Sequence, residues 1–143
     1  MDKKEKMELI TRHLCKASDL GVHGNLFGGK MLSWLDEAGA IMATRICKTK
    51  KLVTVSMNGI EFHTPVKENH DVTIYGEVTG MGTSSITLKL NAKRFDVYSE
   101  KELEVCNVTV VFVRIDGEGK SRSIDLEVRN KYQHLSKKDD KAN

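Results

Sequence analysis

Residues 28–47 read GGKMLSWLDEAGAIMATRIC, and this stretch decides the fold of the 143-residue chain. Apolar positions recur along it at alternating spacings of three and four, which predicts an amphipathic helix. The residues of this stripe are Leu32, Leu35, Gly39, Met42 and Ile46. Most flanking positions are also small or apolar, so we expect a helix that is apolar all round and largely buried.

Nearly everything after the helix alternates with a period of two, the pattern of β-strands. Four strands are predicted at 51–63, 71–81, 85–97 and 102–115, and a shorter one precedes the helix at 9–16. Short turns at 80–84 and 96–101 indicate antiparallel neighbours. The pattern predicts an α+β fold, with one long central helix wrapped by a curved antiparallel sheet of about five strands.

A sheet of that size must curl to cover such a helix, and its edges and the far side of the helix stay open. Exposed strand edges and apolar surface are commonly covered by a second copy of the same chain. We therefore expect a homo-oligomer.

Composition excludes several classes of protein. The net charge is only +3, and charged residues concentrate in the two ends, 1–8 and 137–143, so nucleic acid is not an expected partner. No apolar run approaches the roughly 18–20 residues that a membrane helix needs. No apolar stretch follows the first lysines, so we do not expect a secretory signal peptide at the N-terminus. Three scattered cysteines and five histidines show no metal-ligand spacing. We expect a cytoplasmic protein without a metal.

Asp36 needs an explanation, because aspartate is a poor residue for the interior of a helix. Its helical neighbours three and four positions away include no cation that could pair with it. Two interpretations remain open. Asp36 and Glu37 form the solvated edge of the helix, or Asp36 is a carboxylate in an apolar wall that serves as a general base or nucleophile.

The residues before the helix, GNLFGG at 24–29, form the second candidate feature. Paired glycines allow close approach of a ligand, and the free N–H groups of a helix start can bind an anion or a developing oxyanion. The alternative is a simple tight turn. His23 could help polarise a carbonyl, or be an ordinary loop histidine. Residues 24–30 also match the phosphate-loop pattern GxxxxGK, but Met31 replaces the required Ser or Thr and no βαβ unit is predicted.

Three segments together resemble the hotdog-fold acyl-CoA thioesterases, in particular the YciA-type and brain-type acyl-CoA hydrolases. They are HGNLFGGKMLSWLDEAGAIMATR at 23–45, VTVSMNGIEFHTPV at 53–66 and GTSS at 82–85. The resemblance covers roughly residues 9–124. It leaves a charged N-terminal tail at 1–8 and a C-terminal segment at 125–143, where a short helix over 125–135 precedes a charged tail.

The resemblance implies an enzyme of fatty-acid and lipid metabolism that hydrolyses acyl-CoA to a carboxylic acid and free CoA. Such enzymes are dimers, often assembled into hexamers as trimers of dimers. They need no cofactor beyond the coenzyme A of substrate and product. The implied alternatives are a hotdog hydratase or dehydratase, which pairs a histidine with its carboxylate, and a non-catalytic acyl-CoA-binding domain.

By position, the resemblance implies that Asp36 is the catalytic carboxylate and Asn25 the active-site asparagine. Gly28 and Gly29 match the helix start that faces the thioester carbonyl. Further substrate contacts are implied at Thr54, Gly82, Thr83, Ser84, Ser85, Lys120 and Arg122. Lys30 departs from the family pattern, which has an apolar or small residue there in many relatives.

The spacing within the helix suggests where the two halves of the site come from. Seven residues separate Gly29 from Asp36, which is about 10 Å along a helix axis. One thioester carbonyl cannot readily meet both ends of that distance. We therefore expect a composite site, with the helix start and Asn25 from one subunit and Asp36 from its neighbour.

Overall fold

The computed structural model describes residues 7–135. Its strands are β1 (Glu8–Leu14), β2 (Leu52–Phe62), β3 (Asp71–Met81), β4 (Ser85–Asp96) and β5 (Lys101–Arg114). Its α-helices are α1 (Gly28–Cys47) and α2 (Leu126–Lys131). The bounds of α1 match the prediction, and each strand end lies within two residues of the predicted one. Most of the two predicted charged tails lies outside the described residues.

The five strands form one sheet in the order β1-β3-β4-β5-β2. Each neighbouring pair is antiparallel. Helix α1 packs against all five strands, so the sheet curves around it. The predicted α+β architecture is confirmed, and β1 and β2 are the edge strands.

The core lies between α1 and the inner face of β4 and β5. In the β4–β5 register, Ile86 lies opposite Phe112 and Leu88 opposite Val110, and all four side chains are buried. Burying a side chain of this size stabilises the fold by about 1.5–3 kcal/mol. Gly39 lets the helix approach closely, because a Cβ atom there would lie 3.1 Å from atoms of Phe112.

In the single chain, α1 is buried along one side only. The sheet covers one side of the helix, and the buried residues are Met31, Trp34, Leu35, Ala38, Gly39, Met42, Ala43 and Cys47. On the other side Glu37 and Arg45 are exposed, and the Ile41 side chain is 42% exposed. A curved sheet of five strands leaves this side open, which agrees with the expectation of an uncovered far face.

The segment after β5 returns to the same core. Ile124 and Val128 are buried, and Tyr132 packs against the core. The short helix α2 lies inside the predicted range 125–135 and spans fewer residues. Within residues 7–135, no helix has both the length and the apolar character needed to cross a membrane.

Candidate active site

The start of α1 offers unpaired backbone donors. Phe27 is the N-cap residue, and its side chain makes no capping hydrogen bond. The N–H of Met31 donates to the carbonyl of Phe27 over 3.0 Å, which is the first bond of the helical ladder. The N–H groups of Gly28 and Gly29 precede that bond, so the helix itself gives them no acceptor. A Cβ atom on Gly29 would lie 2.7 Å from the ring of Phe27.

Backbone hydrogen bonds hold the loop before α1 against the rest of the fold. The N–H of Leu26 donates to the carbonyl of Val66 over 2.6 Å, and the N–H of Phe27 donates to that of Asp19 over 2.9 Å. The Asp19 carboxylate is almost fully buried and lies 3.7 Å from the ammonium group of Lys30. Lys30, the residue that departs from the family pattern, therefore forms an ion pair with Asp19, at the start of this loop.

Asn25 lies at the helix start and is half-buried. Together with Gly28, Phe62 and Val66 it lines an open cleft of about 340 Å³. Its side-chain oxygen accepts a hydrogen bond of 3.0 Å from the ammonium group of Lys67. The structure thus places Asn25 and Gly28 on the wall of one cleft, next to Gly29 along the chain.

Asp36 lies farther along α1 and is half-buried. The hydroxyl group of Thr54 on β2 donates to its carboxylate over 2.7 Å. The resemblance implied Thr54 as a substrate contact, and the structure places its hydroxyl group on the Asp36 carboxylate. Asp36 does not line the cleft beside Asn25, so the single chain has two separate groups of candidate residues.

The turn between β3 and β4 lies two strands away from Thr54. Thr54 lies opposite Phe112, and Phe112 lies opposite Ile86. Neighbouring strands are about 4.8 Å apart, so the backbone of Ile86, which directly follows this turn, lies about 10 Å from that of Thr54. The turn itself comprises Gly82, Thr83, Ser84 and Ser85.

Lys120 and Arg122 follow β5 at the same end of the sheet as this turn. The N–H of Arg122 donates to the carbonyl of Arg114, whose own N–H donates to Ser84. The guanidinium group of Arg122 pairs with Asp116 over 3.1 Å. The pKa of Asp116 lies below its ordinary value because the backbone N–H groups of Lys120 and Glu118 donate to its carboxylate. Asp116 therefore offsets part of the positive charge here.

The hydrogen bond between Lys67 and Asn25 is the contact that sequence reasoning missed. Lys67 lies in the connection between β2 and β3, 42 residues from its partner Asn25. No spacing or motif links two residues so far apart, and only the tertiary structure brings them together. Within residues 7–135, no group of three or more His, Cys, Asp or Glu side chains could hold a metal ion.

Comparison with known sequences gives a consistent family. A family model described as Thioesterase superfamily matches residues 23–101. An uncharacterised acyl-CoA thioester hydrolase of Haemophilus influenzae is 34% identical over 128 residues, which cover 87% of this chain and 82% of that protein. The acyl-CoA thioester hydrolase YciA of Escherichia coli K12 is 30% identical over 123 residues, covering 84% and 92% of the two chains.

Solved structures show the same fold. HI0827, a hexameric broad-specificity acyl-coenzyme A thioesterase solved as its Asp44Ala mutant, has a TM-score of 0.81 at 31% identity, covering 92% of this chain and 98% of that one. Cj0915, a hexameric hotdog fold thioesterase of Campylobacter jejuni, has a TM-score of 0.78 at 28% identity, covering 88% and 96%. The chain has the hotdog fold and belongs to the thioesterase superfamily.

Proposed function

We propose that this protein hydrolyses the thioester bond of acyl-CoA to give a carboxylic acid and free CoA. The observation that carries the proposal is the pair of groups on one helix: an uncapped start beside Asn25, and a carboxylate held by Thr54. Its relatives are named acyl-CoA thioester hydrolases. Coenzyme A enters as part of the substrate and leaves as product, and the proposed chemistry uses only water and groups of the chain.

The helix start supplies the electrostatic part of the reaction. Attack on the thioester carbonyl places negative charge on its oxygen, and the N–H groups of Gly28 and Gly29 can donate to that oxygen. Asn25 lies beside them and adds a side-chain donor. Donors fixed before the reaction stabilise the transition state without reorganising.

Asp36 supplies the base or the nucleophile. As a base it removes a proton from water while the water oxygen bonds to the carbonyl carbon; the carbon–sulfur bond then breaks and the CoA sulfur takes up a proton. As a nucleophile it attacks the carbon directly, and water hydrolyses the resulting mixed anhydride. Both routes use the same residue and give the same products.

The two groups of residues complete one site only when two chains meet. Gly29 and Asp36 are separated by seven residues of α1, about 10 Å along the axis, whereas donors and base must each lie within about 3 Å of the reacting atoms. We propose that Asn25 and the helix start of one subunit face Asp36 and Thr54 of its partner. The active unit is then a homodimer.

Edge strand β2 is the surface on which the second copy docks. It carries four exposed apolar side chains, Val53, Val55, Ile60 and Phe62, and it ends the sheet. An unpaired apolar edge of this length tends to pair with another chain. Because β2 carries Thr54 beside Asp36 at one end and Phe62 beside Gly28 at the other, antiparallel pairing of two β2 strands brings both halves of the site together. Hexamers, as named for HI0827 and Cj0915, are then three such dimers.

The proposed binding region for the CoA portion of the substrate is the end of the sheet at the turn between β3 and β4. We place the CoA portion along the turn at Gly82, Thr83, Ser84 and Ser85, with Lys120 and Arg122 near its phosphates. Residues 9–124 form the hydrolase unit in this proposal. The C-terminal segment adds a wall, since Gly82, Thr83 and Arg129 line a shallow cleft of about 310 Å³.

The rival hydratase needs a histidine beside the carboxylate. His63 instead contacts Asn107 over 3.0 Å, and His23 lines a cleft beside Asn25. Neither contacts Asp36 within one subunit, although His63 also lines the cleft beside Asn25, which the proposed dimer places opposite Asp36 of the partner subunit. A non-catalytic binding domain gains nothing from a carboxylate beside a thioester. Hydrolysis is preferred to hydration because the relatives are named acyl-CoA thioester hydrolases, and the assay below separates the two reactions.

The test is release of free CoA from a panel of acyl-CoA substrates of different chain length, followed with a colorimetric thiol reagent. We expect turnover on part of the panel, with rates that depend on chain length. A parallel absorbance assay follows hydration of an enoyl-CoA. Hydration without thiol release favours the hydratase, and binding without either reaction favours the binding domain.

Replacing Thr54 by Val is expected to lower kcat about tenfold, because a hydrogen bond to a charged group contributes at least about 1.5 kcal/mol, this pair is exposed, and about 1.4 kcal/mol corresponds to a tenfold change in rate. Valine keeps the shape of the side chain and removes the hydroxyl group that fixes the Asp36 carboxylate. Thr54→Ser should keep most of the activity, and Ser56→Ala on the same strand serves as the matched control. Steady-state thiol release gives the comparison, and equal kcat for the Val and Ser variants would contradict the role of this hydroxyl.

A further inference from the structure

Lys67 donates a hydrogen bond of 3.0 Å to the side-chain oxygen of Asn25, and this contact has a chemical consequence for the site. Lysine carries three donors and no acceptor, so the amide group of Asn25 must turn its oxygen toward Lys67. The NH₂ group of the same amide then points elsewhere. An asparagine that stabilises an oxyanion must present this NH₂ group, because only an N–H can donate to the developing charge.

The connection that carries Lys67 is itself fixed. The preceding residue, Val66, is buried, and its carbonyl accepts the N–H of Leu26, the neighbour of Asn25. The backbone N–H of Lys67 donates to the ring of His70 over 3.0 Å. The two segments are therefore joined by one backbone bond and by one side-chain bond between Asn25 and the exposed Lys67.

We propose that Lys67 is a positioning residue for thioester hydrolysis: it holds the amide of Asn25 in the orientation that donates to the thioester oxygen. This inference rests on the proposed function. Without the lysine the amide can rotate and turn its oxygen toward the developing negative charge, which repels it.

The experiment compares Lys67→Met with Lys67→Arg, which keeps a donor, and with Lys89→Met, which removes the same charge from an exposed position on β4. Loss of one oxyanion donor reduces kcat by about 10²–10³, and a donor that is misoriented about nine-tenths of the time should reduce it by about tenfold. We expect that decrease in kcat for Lys67→Met with KM changed less than twofold. Lys67→Arg should recover most of the activity, and Lys89→Met should match the wild type.

The same substitution in an Asn25→Ala background separates action through Asn25 from direct action on the substrate. If Lys67 acts through Asn25, Lys67→Met reduces kcat no further once Asn25 is absent. An equal loss in both backgrounds, or a rise of KM with kcat unchanged, would show that Lys67 binds the substrate directly and would overturn the proposal.

A second readout does not depend on activity and keeps the proposal distinct from the proposed function. In protein labelled with ¹⁵N-asparagine, the side-chain NH₂ signals of Asn25 are assigned by their absence in Asn25→Ala. Lys67→Met should shift or broaden these signals, and Lys89→Met should leave them unchanged. Unchanged Asn25 signals in Lys67→Met would refute the positioning role, whereas absence of thiol release by the wild type would refute the function alone.

Discussion

Asp36→Asn is expected to reduce the rate of thioester hydrolysis by about a thousandfold or more, because a neutral amide is neither a general base nor a nucleophile. The two side chains have nearly the same shape. The asparagine oxygen can still accept the hydrogen bond that Thr54 now donates to Asp36 over 2.7 Å. Fold and assembly should therefore be retained while the chemistry is lost.

Glu37→Gln provides the matched control for this substitution. Glu37 is the next residue along α1, and its side chain is exposed. Glu37→Gln removes one carboxylate of the same helix outside the proposed site. We therefore expect this variant to hydrolyse acyl-CoA at the wild-type rate. Thiol release measures both variants, and circular dichroism with thermal melting checks their folds. Near-wild-type turnover by Asp36→Asn would remove Asp36 from the mechanism.

Mixing two inactive variants is expected to restore activity from nearly none to about a quarter of the wild-type value. The two variants are Asn25→Ala and Asp36→Ala, each of which breaks every site in its own dimers. Random exchange of chains makes half of the dimers mixed. In a mixed dimer one composite site carries both substitutions and the other carries neither, so one site in four is intact.

The mixing experiment uses chains that are unfolded together and refolded at equal concentration, with native mass spectrometry to count mixed oligomers. A mixture of Asp36→Ala with Asp36→Asn serves as the control, because no site in it can be intact. If mixed oligomers form and the first mixture stays inactive, both groups belong to one subunit. The composite site would then be wrong, although hydrolysis itself would not be.

Local pattern was sufficient to predict the fold. The spacing of apolar residues predicted the bounds of α1, because a helix places every third or fourth residue on one side whatever lies around it. Alternation predicted the strands to within two residues, because a strand turns successive side chains to opposite faces. The antiparallel arrangement followed from the short turns between strands.

Local pattern overestimated how much of the helix is buried. Ile41 and its neighbours are as apolar as the stripe, yet Ile41 is 42% exposed in the single chain. Burial depends on where the sheet passes, and a sheet of five strands reaches only one side of α1. Sequence alone could not show which side remains open.

The sequence by itself determined the helix, the strands and the candidate Asp36, because residue type and spacing act within one element, whereas the resemblance to the hotdog thioesterases implied Asn25. Only the tertiary structure decided which distant groups meet. Thr54 reaches Asp36 across 18 residues, and Lys67 reaches Asn25 across 42. Such contacts are set by strand order and loop packing, which bring residues together regardless of their separation along the chain. The separation of the two halves of the proposed site follows instead from α1 itself, because Gly29 and Asp36 lie about 10 Å apart along its axis, and we propose that a second subunit unites them.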